Sequence, residues 1–301
     1  MADARIRTAE PDDAPAAVAL RALVYPYLVR GVASTRQMIA EPPSGEEWVA
    51  FVAEVDDRVV GWVSAYRNIR TSEAGFGEVS LLHVHPEQRR RGIGDALLGE
   101  ALGHLRQVGV RRVRTWALPE ALPFARRHGF TPSRELRYSA LELRPAPPMP
   151  AAPPGVRLLP FAELDPPRVY RAEIATAADE PGDVASDAIS YETWQHDVWQ
   201  NLGLDKAAST VAEVDGELVA FSVVKRDGDR MWSDYTGTLP EHRGRGLARL
   251  AKRAALHRAA AGGVRFAYTS NDEANGPMLA INTQLGYQPV AAQWSCLAEL
   301  T

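Results

Sequence analysis

Two short segments of the sequence combine arginine and glycine in a pattern that suits phosphate binding. Each follows a Pro-Glu pair that ends a β-prone run, and each leads directly into a helix-like pattern. Glycine lets a ligand approach the backbone closely, and the free N–H groups at a helix start attract anions. Arginine adds forked charged donors. The spacing predicts a phosphate or pyrophosphate site at each turn, formed by Arg89, Arg90, Arg91, Gly92, Ile93 and Gly94 in the first segment and by Arg243, Gly244, Arg245, Gly246, Leu247 and Ala248 in the second.

The exact form of these turns separates them from two better-known phosphate loops. The third glycine of the dinucleotide fingerprint is missing, and no Gly-Lys-Ser/Thr run follows as in a Walker A loop. The order of strand, Pro-Glu, Arg-x-x-Gly-x-Gly/Ala and helix instead resembles the acetyl-CoA signature of the GCN5-related N-acetyltransferase (GNAT) superfamily. Arg89, Gly92 and Gly94 match it in the first segment, and Arg243, Gly246 and Ala248 match it in the second.

The elements around the two turns repeat along the chain. A hairpin pattern at 49–64 is mirrored at 211–221, and the helix-ending glycines Gly129 and Gly286 follow their turns at nearly the same offset. A proline-dense stretch separates the copies and reads as a semi-rigid linker. We therefore expect two homologous domains, 1–144 and 156–301, joined by a linker at 145–155. The expected fold class is α/β (mixed α+β), each domain having a mixed, mostly antiparallel sheet flanked by helices.

The resemblance implies acetyl-CoA as cofactor and a sheet that opens between its fourth and fifth strands. The pantetheine arm would pair with the backbone of the fourth strand in that opening. An asparagine after the fifth strand would contact the same arm, and only the second copy has one. The implied residues are Leu82, His83 and Val84 in the first copy and Thr236, Gly237, Thr238 and Asn271 in the second.

Direct transfer of acetyl to an amine requires a base that removes a proton from the ammonium form. Aligning the two Pro-Glu pairs places Ser80 opposite Asp234, and Glu78 lies two residues earlier on the same strand face. Asp234 is the expected base of the second copy and Glu78 the weaker candidate of the first; the alternative for each is a solvated strand residue. The tyrosine that the family usually offers as general acid is replaced by Asn282 and Ala125.

A long segment of the second copy, 175–206, is rich in acids and aromatics. In the family this region helps to form the acceptor pocket, and such residues could hold an ammonium group. The alternative, which we favour for any single residue, is a pair of amphipathic helices with solvated acids and core tryptophans. The residues concerned are Asp179, Glu180, Asp183, Asp187, Tyr191, Trp194 and Trp199.

Composition limits the functions that remain. The chain has 301 residues, a formal net charge of −4 and one cysteine, so we expect no nucleic-acid partner and no intramolecular disulfide. No apolar run reaches the length of a membrane span, and the pattern suits a cytoplasmic protein. We expect no metal site, because His83 and His85 have no third ligand nearby, and a packing role for Cys296.

The sequence therefore favours an acetyl-CoA-dependent N-acetyltransferase that acts on a primary amine of a small molecule or peptide, as a monomer or homodimer. The second copy is the favoured catalytic one. The alternative is a non-catalytic CoA-binding sensor or interaction module.

Overall fold

A computed structural model describes residues 4–176 and 181–300 of the chain. The described residues form two compact units. The first contains residues 4–28, 32–136 and 292–300, and the second contains 29–31 and 137–291, apart from the undescribed residues.

The first unit is a mostly antiparallel sheet flanked by helices, in the strand order β1-β2-β3-β4-β5-β12. Among its described strands, β4 and β5 form the parallel pair. Its strands are β1 (Arg5–Thr8), β2 (Val49–Val55), β3 (Arg58–Arg67), β4 (Phe76–Val84), β5 (Arg112–Ala117) and the end of β12 (Gln288–Glu299). Its helices are α1 (Ala14–Val24), α2 (Val32–Ala40), α3 (Ile93–Gln107) and α4 (Leu122–Arg127).

The second unit repeats this plan in the order β6-β11-β10-β9-β8-β7, with β10 and β11 as the parallel pair. Its strands are the end of β6 (Thr131–Glu142), β7 (Val156–Pro160), β8 (Thr210–Val214), β9 (Glu217–Asp227), β10 (Arg230–Thr238) and β11 (Phe266–Asp272). Its helices are α5 (Pro166–Ile174), α6 (Tyr191–Trp194), α7 (Leu247–Ala261) and α8 (Gly276–Leu285), and a π-helical turn, Gln195–Trp199, extends α6. The expected fold class is confirmed.

Helix α3 packs on β2, β3 and β4, and α7 packs on β8, β9 and β10. Both helices present an apolar stripe to the sheet, as their 3.6-residue periodicity predicts. In α3 the buried stripe includes Leu97, Ala101 and Leu105; in α7 it includes Ala251, Ala255 and Ala259. The start of each helix is thereby fixed at the carboxyl end of the parallel strand pair.

The compact units do not follow the expected division at 145–155. Residues 137–144 lie in the second unit, and residues 292–300 lie in the first. The reason is the pairing of β12: Trp294 to Glu299 pair antiparallel with Ala117 to Arg112 of β5. Cys296 is fully buried there in the core of the first unit, where we expected a packing residue.

The pairing of β12 with β5 can be tested by a cross-link, because Cys296 is the single cysteine and lies directly opposite Thr115. In the variant Thr115→Cys, mild oxidation should form a disulfide that is visible as a mobility shift on a non-reducing gel. Directly opposed residues of an antiparallel pair have Cβ atoms about 5 Å apart, close enough to bridge with small adjustments. The matched control is Trp116→Cys, whose side chain points to the other face of the sheet. Equal cross-linking in both variants would contradict this register.

Candidate functional site

In both units the parallel strands separate soon after they pair. β4 pairs with β5 only from Phe76 to Val79, and β10 pairs with β11 only from Arg230 to Trp232. The remaining part of each strand, up to Val84 and Thr238, keeps its ladder on the other side, with β3 or β9. One edge of β4 and of β10 therefore turns toward an opening. This is the opening that the family resemblance implies.

A β-bulge lies at the point where each strand leaves its parallel partner. On β4 the register shifts between Ser80 and His83, and Leu81 has a left-handed φ of 57°. On β10 the shift falls between Ser233 and Thr236. A bulge bends its strand and increases the local twist. It also turns side chains away from the regular alternation, as Asp234 shows in the second unit.

The first arginine of each turn braces the backbone. A 3₁₀ turn, Pro86–Gln88 or Pro240–His242, follows each strand. The Arg89 Nε then donates to the Val84 carbonyl at 3.2 Å, and the Arg243 Nε donates to the Thr238 carbonyl at 3.3 Å. The same contact in both copies closes the turn onto the end of its strand.

The glycines of the turns adopt backbone conformations that disfavour other residues. Gly92 and Gly246, immediately before α3 and α7, have φ of 82° and 74°. Gly244 has φ of 75°, and Arg90 occupies the same left-handed region in the first unit at 61°. A Cβ on Gly92 or Gly244 would meet no described atom within 4 Å, so the cradle is open.

Neither helix start has a side-chain cap among the described residues, so first-turn N–H groups face this cradle. Ile93 and Leu247 are themselves buried and anchor the helix starts to the core. Their contribution to a ligand is therefore confined to the main chain. An open nest of N–H groups beside exposed arginines fits the pyrophosphate of acetyl-CoA.

The two helix starts differ in charge. Asp95 in the first turn of α3 accepts hydrogen bonds from Arg127 Nη2 and His128 Nε2, each at 2.8 Å. The hydrogen bond from Arg127 contributes most to lowering the pKa of Asp95, so this carboxylate stays ionised at neutral pH. The corresponding residue of α7 is Arg249. The second unit therefore offers the more favourable potential for an anion.

Glu78 is 5% exposed and lies in a buried ion pair. It accepts hydrogen bonds from Arg114, directly opposite on β5, and from the Asn68 Nδ2 at 3.3 Å. The Arg114 guanidinium also lies over the rings of Phe76 and Trp116. These contacts favour a structural role for Glu78, which joins β4 to β5 just before the strands separate.

Asp234 lies in the bulge of β10 and is exposed. Its Oδ2 is 2.7 Å from the Nζ of Lys225, which projects from β9. The side chain of Asp234 is 28% exposed, and its charge is partly neutralised by this ammonium group. Of the two expected bases, Asp234 is the more exposed.

The implied strand residues differ in what they offer to a ligand. The imidazole of His83 is buried beside Tyr25, and burial lowers its pKa to about 3, so it is neutral. Leu82 and Val84 are half-buried against the core of the first unit. In β10 a Cβ on Gly237 would lie 2.8 Å from both the Phe221 ring and the Thr176 hydroxyl.

Thr236 shares a hydrogen bond with the Ser222 hydroxyl at 3.2 Å, and Thr238 supplies the carbonyl held by Arg243. Ala248 is half-buried in the first turn of α7. Gly94, in the first turn of α3, lies beside the ring of Phe124 from α4, which a Cβ on Gly94 would approach to 3.4 Å. Thr236, Ala248 and Gly94 therefore lie against other parts of the protein, and their role in cofactor binding stays a prediction.

A buried polar chain that the sequence analysis missed adjoins the opening of the second unit. The Lys252 Nζ donates to the Asn282 Oδ1 at 2.7 Å, and the Asn282 Nδ2 donates to the Asn271 Oδ1 at 2.6 Å. Lys252 is 1% exposed and Asn282 3%. Burial lowers the pKa of Lys252 to about 7, and among the described residues no carboxylate pairs with it. A lysine within the alanine stripe of α7 was the sequence signal that would have found it.

The aromatic residues of 181–206 form part of the core of the second unit. Trp194 is 1% exposed and stacks on Tyr191 and Trp199. Lys206 covers the Trp199 ring at 4.4 Å, and Asp187 is exposed to solvent. Asp179 and Glu180 lie outside the described residues. The tryptophans thus have the packing role that we favoured for single residues.

Residues 4–176 and 181–300 contain no cluster of three or more potential metal ligands. No helix among them is both long enough and apolar enough to cross a membrane.

Comparison with known proteins extends these observations. The family model described as Acetyltransferase (GNAT) family matches residues 18–130 and 173–287, one match in each copy. A mycothiol acetyltransferase of Nocardioides sp. is 30% identical over 270 residues, which cover 82% of this chain and 88% of that protein. One of Nocardiopsis dassonvillei is 30% identical over 274 residues, covering 81% and 80%.

Two solved structures share the fold over almost the entire chain. A tandem GNAT protein from the clavulanic acid biosynthesis pathway has a TM-score of 0.77 at 24% identity, covering 99% of both chains. A GCN5-related N-acetyltransferase from Sphaerobacter thermophilus has a TM-score of 0.72 at 20% identity, covering 99% of this chain and 96% of that one. At these identities the likeness concerns the fold alone.

The buried amine of Lys252 predicts a pH-dependent stability. Its pKa is about 7 in the folded chain, whereas the ordinary value for a lysine side chain is 10.5. Between these values the unfolded chain binds more protons, so this residue makes the free energy of unfolding rise with pH. Compared with Lys252→Met, the wild type should gain on the order of 1 kcal/mol per pH unit between pH 7.5 and 9.5.

Urea denaturation of both proteins at several pH values measures this difference, and subtraction cancels the groups that the two proteins share. The neighbouring Tyr287, whose ring is 5.2 Å from the Nζ, has a pKa raised mainly by burial and does not titrate in that window. A constant difference across the window would show that Lys252 keeps an ordinary pKa.

Proposed function

The chain belongs to the acetyltransferase (GNAT) family, whose members use acetyl-CoA, and from this premise we propose that its second unit acetylates a primary amine of a small molecule. The observation that carries the proposal is the set of groups that surround the opening between β10 and β11. Beside it lie an uncapped helix start, exposed arginines and an asparagine amide, and no carboxylate occupies the first turn of α7.

Acetyl-CoA supplies the acetyl group as a thioester. Under the proposal, the first-turn N–H groups of α7 and the side chain of Arg245 hold the pyrophosphate. Main-chain groups of β10 from Thr236 to Thr238 hold the pantetheine arm, since this edge has no strand partner in the opening. Asn271 provides a side-chain donor on the opposite wall.

Asp234 is proposed as the base that takes a proton from the acceptor ammonium, because it is accessible at the bulge. Lys225 holds the carboxylate in place through the 2.7 Å contact of its Nζ with the Asp234 Oδ2. The position of the usual family acid is occupied by Asn282, whose amide is already bonded to Asn271 and has no proton to release at neutral pH. The proposal therefore assigns no general acid.

The acceptor is proposed to be a small-molecule amine, with amine precursors of mycothiol as the first compounds to screen. The support is the name of the relatives, mycothiol acetyltransferases that are 30% identical over most of their length. The acidic segment before β8 is the proposed acceptor side; of the four aspartate and glutamate residues predicted there, Asp183 and Asp187 lie among the described residues.

The first unit is proposed as a module that is not catalytic. It retains the glycine turn, but the carboxylate of Asp95 lies at the helix start. In place of the polar chain it has Leu98, Ala117 and Ala125, all buried in one apolar core. Its binding of acetyl-CoA should be weaker than that of the second unit, because a phosphate there would approach a negative charge.

Calorimetric titration with acetyl-CoA tests the proposed cofactor site. Arg245→Glu should weaken the tightest binding by about tenfold or more, since it replaces a charge-assisted donor with a repelling charge. The matched control is Arg91→Glu, the corresponding exposed residue of the first turn, which should leave that binding unchanged. The proposal fails if Arg245→Glu binds as the wild type does, or if only Arg91→Glu weakens the tightest site.

The proposed base is tested by turnover with an acceptor identified in the screen. Asp234→Asn should lower kcat by on the order of 10²-fold, with little change in acetyl-CoA affinity. Lys225→Met keeps the carboxylate but removes the ammonium group that contacts it, so kcat should fall by less than in Asp234→Asn. Unaltered turnover in Asp234→Asn would remove this residue from the mechanism, and an equal loss in Lys225→Met would assign the effect to the ion pair.

A further inference from the structure

We propose that Lys252 is a positioning residue for the cofactor, which orients the amides of Asn282 and Asn271 so that Asn271 presents an N–H donor to a carbonyl of acetyl-CoA. The inference rests on the proposed cofactor site of the second unit. It assigns a role to a buried lysine that neither the base nor the phosphate turn uses.

The chain of hydrogen bonds connects three elements. Lys252 projects from α7, Asn282 from α8 and Asn271 from β11. The two hydrogen bonds measure 2.7 and 2.6 Å. Asn271 is three residues beyond Tyr268, the last residue of β11 that pairs with β10, so it stands on the wall of the opening. Lys252 and Asn282 are buried behind it.

The lysine determines which groups donate and which accept along this chain of hydrogen bonds; we call this order its direction. At pH 6, below its pKa of about 7, Lys252 is an ammonium group that has only donors, so the amide oxygen of Asn282 must face it. The NH₂ group of Asn282 then faces Asn271 and requires an acceptor, which is the Asn271 Oδ1. The Asn271 NH₂ group is left on the remaining side, where no hydrogen bond to a described residue engages it. An amide that would otherwise be free to flip is thereby fixed with its donors toward the opening.

The composition of the first unit shows that packing alone does not require these residues. Helices α3 and α7 start at the same position of the turn motif, and β5 and β11 pair in the same register with β4 and β10. The helix-ending glycines Gly129 and Gly286 follow Ala125 and Asn282 at the same spacing. By this correspondence Leu98, Ala117 and Ala125 replace Lys252, Asn271 and Asn282. All three replacements are buried in a single apolar core. The fold thus accepts an apolar set here, and the second unit instead buries an amine and two amides.

The direction of the chain can be reversed by one substitution that keeps the lysine paired. In Asn282→Asp, the carboxylate accepts from both neighbours, so Asn271 must turn its NH₂ group inward and its oxygen toward the opening. Burying an ion pair in place of an unpaired amine should keep the protein folded. Acetyl-CoA should bind about tenfold or more weakly, because an acceptor now faces the ligand carbonyl.

Two further variants separate direction from packing. Lys252→Met removes the donor and frees the Asn282 amide to flip, so acetyl-CoA affinity should fall less than in Asn282→Asp. The triple variant Lys252→Leu, Asn271→Ala, Asn282→Ala copies the apolar set of the first unit. It should be folded and lose the donor entirely, and its affinity should equal that of Asn271→Ala alone.

Nuclear magnetic resonance of the protein without acetyl-CoA shows the orientation of the two amides independently of binding, through the exchange of their NH₂ protons with water. In the wild type at pH 6, the side-chain NH₂ protons of Asn282 should exchange slowly with water and those of Asn271 quickly. In Asn282→Asp, the Asn271 protons should become the slowly exchanging set. Slow exchange at Asn271 in the wild type would overturn the inferred direction.

Calorimetric titration with acetyl-CoA at pH 6 is the second measurement. It distinguishes a failure of the positioning role of Lys252 from a failure of the proposed cofactor site. If Asn282→Asp shows the reversed exchange and still binds acetyl-CoA like the wild type, the positioning role is overturned while the cofactor site stands. If the wild type binds no acetyl-CoA, or Arg245→Glu leaves the tightest binding unchanged, the proposed function fails first, and the positioning role of Lys252 fails with it.

Discussion

The parallel pairing of β4 with β5 and of β10 with β11 ends after three or four residues, and the opening beyond that point creates each candidate site. Side-chain contacts connect the two strands of each pair beside the residues that are still paired. In the first unit this is the buried Glu78–Arg114 pair. In the second unit the Thr269 hydroxyl donates to the Ser233 carbonyl at 3.1 Å, and Tyr287 shares a hydrogen bond with the Ser233 hydroxyl at 3.0 Å. The same place in the fold is secured by charge in one unit and by hydroxyl groups in the other.

The parts of the site that the sequence predicted are those formed by residues close together in the chain. The turns at Gly92 and Gly246 are local, because a left-handed residue at a helix start is specified by glycine itself. The hairpins at Asp56 and Asp215 are also local, because a short turn between two strands is specified by its own residues, and both aspartates have the positive φ that such turns require. The repeat of these signals was sufficient to predict two copies of one fold.

The parts that the sequence could not predict depend on contacts between distant residues. The pattern of β12 indicates a strand but contains no information on which strand it joins, since alternation specifies a face and not a neighbour. Glu78 was predicted as a candidate base, and its ion pair with Arg114 on β5 depends on the register of β4 and β5, which the sequence does not specify. Similarly, the contact of Asp234 with Lys225 depends on the register of β9 and β10.

The two units show how one backbone can hold a ligand cradle with opposite electrostatics. At the first turn of the helix, Asp95 in one copy stands where Arg249 stands in the other. Behind the opening, an apolar core in one copy stands where a lysine and two asparagines stand in the other. A buried amine without a carboxylate partner destabilises the folded chain at neutral pH, as the lowered pKa of Lys252 indicates. The first unit shows that the fold packs without this amine. We therefore explain Lys252 by its hydrogen bond to Asn282: when the amine is protonated, the oxygen of Asn282 must face it, and the amide of Asn282 in turn orients that of Asn271.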